Sequence, residues 1–287
     1  MDDLTYTLRQ LCLRNRDGSH ATQADRQRSL NLVARQLREA GFRQMRAISL
    51  KGKHVEALLQ RWQTEGLSAG TLKNRMAHLR WWAEKVGKAG ILPADNTKMG
   101  IPDRRYVTNE SKAKELGDRL HMITDPYVRM SLRLQAAFGL RREESIKFQP
   151  RYADRGDHIA IKGSWAKGGR ERTVPITTPE QRIVLDDAHR LAGLGSLIPA
   201  NKTYIQQRYV YDGQCKAAGL SNMHGLRHRY AQMRYEALTG WKAPATGGSP
   251  TAALTHKQLA QDNAARQRIS RELGHERIQI TAVYLGR

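Results

Sequence analysis

The stretch MHGLRHRYAQMRYEALTG, residues 223–240, decides how the second half of the chain folds. Four apolar side chains recur in it at three- and four-residue spacing: Leu226, Tyr230, Met233 and Ala237. This periodicity, following the good capping residues Ser221 and Asn222, predicts an amphipathic helix. The motif HGLRH therefore places histidine and arginine side chains near the start of a helix.

The two histidines of this motif leave more than one interpretation open. His224 and His228 are one helical turn apart and could form a metal pair. The sequence offers no obvious third ligand, and a packing or capping role is the simpler interpretation of His228. Neither histidine identifies a function by itself.

Other short elements surround this helix. Upstream, apolar residues at helical spacing predict a helix over 130–138, and HIAIK (158–162) and RTVPI (172–176) predict a hairpin around the turn GSWAKGG. Downstream, a stretch rich in Gly, Pro, Ala and Thr (240–255) precedes a helical region that ends near residue 286. The second half is predicted to be mainly α-helical with one small β-hairpin, an α+β arrangement.

The first hundred residues contain three apolar stripes at helical spacing, at 30–37, 55–62 and 72–86. Between about 90 and 110 the periodicity is lost in a stretch with prolines and several turn formers. We therefore predict a helical domain at 1–95, a linker at 96–110 and a second domain at 111–287.

Positive charge dominates the composition, with 49 Lys and Arg against 27 Asp and Glu and a net charge of +22. The excess occurs in both halves, within segments predicted to fold, which favours DNA or RNA over a membrane surface as the partner. The sequence shows no apolar run of membrane-spanning length, no secretory signal and only two distant cysteines, so a cytoplasmic protein is expected.

Five elements of the second half together resemble the tyrosine recombinase, or phage integrase, family. They are GLRREES with Arg141 and Glu144, KGGRERTVP with Lys167, HGLRH with His224 and Arg227, LGH with His275, and Tyr284 nine residues further on. Each element is weak alone, but their order and spacing would rarely arise by accident. The resemblance covers roughly residues 110–287.

This resemblance implies DNA strand cleavage and rejoining without a metal or another cofactor. Tyr284 would be the nucleophile, and Lys167 would protonate the departing 5′ oxygen. The other catalytic residues would surround the scissile phosphate, with Glu144 in a supporting role: Arg141, Arg227, His224 and His275. Cationic donors suit this chemistry because the transition state builds negative charge on the non-bridging oxygens.

The same resemblance implies a helical core-binding domain of SAM-like fold at 1–95 and a C-shaped clamp of both domains on DNA. Polar helix faces and the hairpin carry candidate phosphate contacts, which could equally be solvated: Arg35, Arg38, Lys73, Arg75, Arg80, Arg170 and Arg172. The implied partners are double-stranded recombination sites, four protomers on two sites joined in a Holliday junction, and accessory DNA-bending or directionality factors. A nucleoid-associated integrase of a mobile element is the favoured interpretation.

Two departures from the family pattern stand out. The separation between HGLRH and LGH is larger than in compact family members, and we interpret the surplus at 240–264 as an insertion that contacts DNA or a neighbouring protomer. Few residues follow Tyr284, so we expect its segment to be mobile before DNA binds. A catalytically idle DNA-binding protein and a type IB topoisomerase remain as alternatives.

Overall fold

The computed structural model describes residues 2–287, which divide into two compact units between Arg105 and Tyr106. This division falls inside the stretch that we predicted as a linker. The first part of that stretch belongs to the first unit, because Ile101 is buried in its core.

Among the residues that the structure describes, the first unit contains four α-helices: α1 (Asp3–Arg14), α2 (His20–Glu39), α3 (Gly52–Thr64) and α4 (Ala69–Lys85). Side chains of Ser19 and Ser68 accept hydrogen bonds from backbone N–H groups at the starts of α2 and α4, as N-caps do. The three predicted helices are confirmed. Helix α1 was not predicted, because only Leu4 and Leu8 of its residues are buried, and this stripe is too short to recognise.

The second unit contains eight helices and two strands within the described residues: α5 (Pro126–Phe138), α6 (Arg142–Ile146), α7 (Pro150–Ala153), β1 (His158–Ile161), β2 (Arg172–Pro175), α8 (Pro179–Ala192), α9 (Tyr204–Ala217), α10 (His224–Thr239), α11 (His256–Glu272) and α12 (Ala282–Leu285). Strands β1 and β2 form an antiparallel hairpin in which Ile159 pairs with Val174, and both are buried. The predicted fold class, mainly helical with a small hairpin, is confirmed.

Two features of the second unit differ from the sequence prediction. Helices α8 and α9 were not predicted, although Thr178 and Thr203 cap their first turns. Helix α10 begins at His224 with Met223 at the N-cap, whereas Asn222, a predicted cap, has a left-handed backbone with φ 55°.

One core joins the elements that carry the motifs. Helices α5, α10 and α11 pack together, and their buried residues Phe138, Tyr235 and Ile269 share this core with Tyr284. The ends of these helices are therefore held at fixed positions relative to one another. Within residues 2–287, no helix is long and apolar enough to cross a membrane.

Gly139 lies where α5 ends, and we predict that its replacement is costly. Its φ of 62° is left-handed, and a Cβ added there would lie 2.6 Å from Cδ1 of Tyr230. Gly139→Ala should lower the free energy of unfolding by about 2–5 kcal/mol, combining left-handed strain with overpacking. Urea unfolding followed by circular dichroism measures this loss.

Gly240 is the matched control, because it ends α10 with φ 83° and open space around its Cα. Gly240→Ala should cost only the backbone strain, about 1–2 kcal/mol. Equal losses for the two variants would show that the contact with Tyr230 is unimportant.

Candidate active site

Helices of the second unit carry or adjoin five of the six predicted catalytic residues. Arg141 lies at the N-terminus of α6, directly after the turn that ends α5. His224 and Arg227 occupy the first turn of α10, His275 follows the end of α11, and Tyr284 lies in α12. Because these ends meet in one core, residues far apart in the sequence become neighbours.

The hydroxyl of Tyr284 lies in the middle of this group. Nε of Arg227 donates to it at 3.4 Å, and Nε2 of His275 and of His224 lie 3.2 and 3.4 Å away. The structure therefore brings four of the six predicted catalytic residues into contact around one phenolic oxygen.

Backbone carbonyls orient the buried guanidinium of Arg227. Its Nη1 donates to the carbonyl of Gly139 at 2.6 Å, and its Nη2 donates to the carbonyl of Leu273. Arg141 reaches the same Leu273 carbonyl through Nη2 at 3.3 Å. One carbonyl at the end of α11 thus fixes both predicted phosphate-binding arginines.

Glu144 provides the negative charge next to these cations. Its carboxylate accepts from Nη1 and the backbone N–H of Arg141, at 2.8 and 2.7 Å, and from two nitrogens of Arg172. Burial alone would raise its pKa, but the bonds and charges of Arg172, Arg141 and Arg227 lower it to about 2. Glu144 is therefore ionised at neutral pH, and its carboxylate bonds both Arg141 and Arg172.

The structure corrects the prediction for Arg172, which we expected to contact DNA. Its side chain is 5% exposed, and its guanidinium binds Glu144 at 2.8 and 2.7 Å and the Glu272 carbonyl at 2.8 Å. Because Arg172 is buried and forms bidentate bonds with Glu144, it holds this carboxylate in place and is not available at the surface for DNA.

Both site histidines are neutral at physiological pH. Burial lowers the pKa of His275 to about 3, with further lowering by the charges of Arg227 and Arg141. Burial and the charge of Arg227 also lower the pKa of His224. A neutral imidazole has one nitrogen free to accept a proton, which gives Tyr284 two neighbouring candidate bases.

His228 packs against the ring of Tyr284, with ring centroids 4.6 Å apart, and is buried. Burial lowers its pKa to about 4. Among the described residues, no three or more His, Cys, Asp or Glu side chains are grouped so that they could hold a metal ion. This geometry fits the packing role considered for His228.

The segment that carries Tyr284 is packed into the core, although we expected it to be mobile before DNA binds. Tyr284 and Leu285 are buried, and Nε2 of Gln232 donates to the Tyr284 carbonyl at 3.0 Å. Asn109 exchanges hydrogen bonds of 2.8 and 3.1 Å with the backbone of Arg287. Burial and these bonds, absent from any local sequence pattern, hold the segment.

Lys167 is the predicted catalytic residue that the structure does not bring to the others. It lies in the turn between β1 and β2, where its side chain is exposed. Within residues 2–287, its ammonium group forms no hydrogen bond or ion pair.

Four candidate DNA contacts are exposed or partly exposed and paired within the chain. Arg35 lies 3.8 Å from Glu39, and the other pairs are Arg38 with Asp2, Lys73 with Asp103 and Arg170 with Glu276. Ion pairs in solvent contribute little stability, roughly 0–1 kcal/mol, so phosphates could replace these partners.

The remaining two candidates have structural partners. Arg80 donates to the Pro93 carbonyl at 2.9 Å and to Oδ1 of Asn96 at 2.8 Å, so it fixes the loop after α4. Arg75 stacks over the ring of Trp62 at 5.1 Å. Neither is a freely solvated cation.

Several supporting groups had no signal in the sequence. The carbonyls of Gly139 and Leu273 belong to residues with no functional side chain, and Arg172 is 28 positions from its partner Glu144. Sequence spacing identifies neighbours along one helix, whereas these partners meet only through packing.

Two family models match the sequence. One, described as "Phage integrase, N-terminal", matches residues 1–91, and the other, described as "Integrase", matches residues 96–233. Together they cover most of the chain. The second match ends before His275 and Tyr284, so the assignment of these two residues depends on spacing and geometry. A search of curated proteins found no match.

Solved recombinase structures share this fold. A lambda integrase dimer bound to a COC′ core site has a TM-score of 0.63 at 14% identity, covering 99% of this chain and 96% of that one. The structure of XerH recombinase bound to palindromic difH has a TM-score of 0.59 at 16% sequence identity, and the match covers 98% of this chain and 80% of that one. The structure of the Tn1549 transposon integrase with circular intermediate DNA has a TM-score of 0.56 at 14% sequence identity, and the match covers 100% of this chain and 96% of that one.

The lowered histidine pKa values predict that acid destabilises this unit. The unfolded chain binds a proton at His275 near pH 6.5, while the folded chain does so only near pH 3. Stability is therefore lost as pH falls through that window. His275→Gln should reduce the slope of unfolding free energy against pH by at most about 1.4 kcal/mol per unit, less where solvent screens the ring.

Urea unfolding between pH 4 and 7 measures this slope. His121→Gln, which removes an exposed histidine outside the site, is the control. An unchanged slope in His275→Gln would mean that the site does not hold this imidazole neutral.

Proposed function

The chain belongs to the phage integrase family of tyrosine-type site-specific DNA recombinases, and from this premise we propose that it cleaves and rejoins DNA through Tyr284. The observation that carries the proposal is the position of the Tyr284 hydroxyl, in contact with Arg227, His224 and His275. A tyrosine with only a packing role has no need of three such partners.

The first requirement of this reaction is a binding site for the scissile phosphate. A guanidinium has five N–H donors, and Arg141 uses two nitrogens for Glu144 and the Leu273 carbonyl. It retains donors for a phosphate, and its side chain is 22% exposed. Arg227 supplies a second fixed positive charge, so both arginines would stabilise the charge that develops on the non-bridging oxygens.

The second requirement is an activated nucleophile. We propose that His224 or His275, both neutral, accepts the phenolic proton of Tyr284 as its oxygen attacks phosphorus. The new phosphotyrosyl bond forms on the 3′ side while the bond to the 5′ oxygen breaks. The reverse attack by a 5′ hydroxyl of another strand releases Tyr284 and restores a phosphodiester, so the reaction needs no ATP.

The third requirement is a proton for the 5′ oxygen that leaves. Lys167 is our candidate acid. It carries an ammonium group in the hairpin turn, and strand β2 of this hairpin begins at Arg172, which bonds Glu144 in the site. Its exposed position means that the hairpin turn has to bring it to the phosphate once DNA is bound. No metal takes part in this scheme.

The assembly is proposed from the structural relatives. Solved complexes include a lambda integrase dimer on a core site and a lambda integrase tetramer bound to a Holliday junction. We propose the same order for this chain, with both units contacting duplex DNA and four protomers exchanging strands between two sites. Integration or excision of a mobile element, assisted by accessory factors, is the proposed biological event.

Tyr284→Phe should abolish covalent protein–DNA adducts while DNA affinity stays within about twofold, because only the attacking oxygen is lost. The assay uses a nicked suicide duplex whose sequence is taken from the DNA that flanks the gene for this protein, and a metal chelator is present. Denaturing electrophoresis then detects the covalent adducts. Tyr209→Phe, at an exposed tyrosine, is the control and should form adducts normally. Adducts that survive in Tyr284→Phe would mean another nucleophile, and their absence from the unaltered protein would indicate an idle DNA-binding protein.

Lys167→Ala should slow adduct formation by about 100- to 10,000-fold on ordinary DNA, the usual contribution of a general acid. A duplex with sulfur in place of the scissile 5′ oxygen should restore the rate, because a thiolate leaves without a proton. Arg170→Ala removes a charge from the same turn and should gain nothing from the sulfur. A Lys167→Ala defect that persists on the sulfur duplex would assign the proton transfer to another group.

A further inference from the structure

The insertion at 240–264 folds back onto the segment that follows Tyr284. Pro244 and Ala245 pack against Gly286, so that a Cβ added to Gly286 would lie 2.8 Å from the Ala245 nitrogen and 3.1 Å from Cβ of Pro244. Gly286 has φ 78° and ψ −175°, a backbone conformation that is essentially limited to glycine. The chain directly after the nucleophile is therefore shaped to fit the insertion.

A buried ion pair lies under this contact. Nε of Arg266 donates to both carboxylate oxygens of Asp262, at 2.8 and 2.9 Å, and the two side chains are 9% and 1% exposed. Nη1 of Arg266 donates at 2.9 Å to the carbonyl of Gly286. The guanidinium thus connects helix α11 to the backbone two positions after Tyr284.

The insertion also orients this ion pair. Oδ1 of Asp262 accepts from the hydroxyl of Tyr235 at 2.6 Å, and this hydroxyl accepts from Nε1 of Trp241 at 3.1 Å. Trp241 belongs to the insertion, so its indole, Tyr235, Asp262 and Arg266 form one continuous chain of hydrogen bonds that ends on Gly286.

Stability alone is a poor explanation for such a pair. Apolar replacements of a buried ion pair are often as stable or more stable, because the two charges lose their hydration. Nη2 of Arg266 is buried without a hydrogen-bond partner in the described residues, a further cost. What the pair provides is a directed hydrogen bond to one carbonyl, which fixes a position.

We propose that the insertion and Arg266 form a cis latch, in which Arg266 is a positioning residue for the nucleophile. The latch holds the Gly286 carbonyl while Gln232 holds the Tyr284 carbonyl. Together they keep the phenolic oxygen among the cationic donors of its own protomer. This inference depends on the proposed role of Tyr284.

The test replaces both partners of the pair, so that no buried charge remains alone. Asp262→Asn with Arg266→Met keeps an acceptor for Tyr235 and removes the bond to Gly286. At saturating nicked duplex, adduct formation should slow about 10- to 100-fold, because small misplacements of a reacting group have large effects. DNA affinity and the thermal unfolding midpoint should stay close to those of the unaltered protein.

Two further variants separate positioning from general destabilisation. Arg266→Lys keeps a donor near the Gly286 carbonyl and a charge beside Asp262, so it should recover part of the rate. Arg182→Met removes an ion pair of the same unit with Asp154 and does not touch the 284–287 segment, so its rate should be unchanged.

A second measurement uses the unaltered protein and needs no variant to fold. Backbone N–H groups of Gly286 and Arg287 are hydrogen-bonded, to the Ala282 carbonyl and to Oδ1 of Asn109. In DNA-free protein they should exchange with deuterium at least ~10-fold more slowly than in an unstructured peptide, and the double variant should lose this protection.

The outcomes distinguish this inference from the proposed function. A double variant that forms Tyr284 adducts at the normal rate, or unprotected amides in the unaltered protein, would overturn the latch and leave the nucleophile assignment intact. Adducts that persist in Tyr284→Phe would overturn the proposed function, whatever the exchange data show.

Discussion

The burial of the Arg227 guanidinium is the constraint on which the rest of the second unit depends. A charged group removed from water needs hydrogen-bond partners in fixed places, because an unsatisfied buried charge is very costly. Burial lowers the pKa of Arg227 to about 10, which still leaves it charged at neutral pH. Its partners are the carbonyls of Gly139 and Leu273, so the ends of α5 and α11 have to meet at the start of α10.

This requirement concentrates positive charge in one place and explains the role of Glu144. Arg141, Arg172 and Arg227 would repel one another in a dry interior, and the Glu144 carboxylate offsets much of that repulsion. Three arginines face this one carboxylate, so a net positive charge remains in the site, and it is fixed in place without a bound substrate. Such preorganised charge is what a phosphoryl-transfer transition state needs, since no reorganisation is required during the reaction. The neighbouring histidines stay neutral mainly because they are buried, and the positive charges of Arg227 and Arg141 lower their pKa values further.

The segment that carries Tyr284 has a different kind of constraint. Its backbone is held at three positions, by Gln232 of α10, Arg266 of α11 and Asn109 of the stretch after the first unit. These contacts differ in the free energy that burial costs. Gln232 and Asn109 form hydrogen bonds between neutral groups, whereas Arg266 carries a charge that is buried together with the charge of Asp262. The chain thereby places a buried ion pair beside the residue that we propose as the nucleophile.

The sequence by itself determined the helical class, the hairpin and the identity of the motif residues. Apolar periodicity and residue spacing are local properties, and HGLRH and LGH carry the predicted site residues within single short stretches. Only the tertiary structure decided that Tyr284 is packed among His224, His275 and Arg227. It also decided that Arg172 forms a buried ion pair with Glu144 and that Lys167 is exposed in the hairpin turn, away from the other predicted catalytic residues. The tertiary structure likewise decided that the stretch 240–264 contacts Gly286, through Pro244 and Ala245. These facts depend on which helix ends meet in the core, and that is fixed by packing and charge satisfaction between residues far apart in the chain, which no local pattern records.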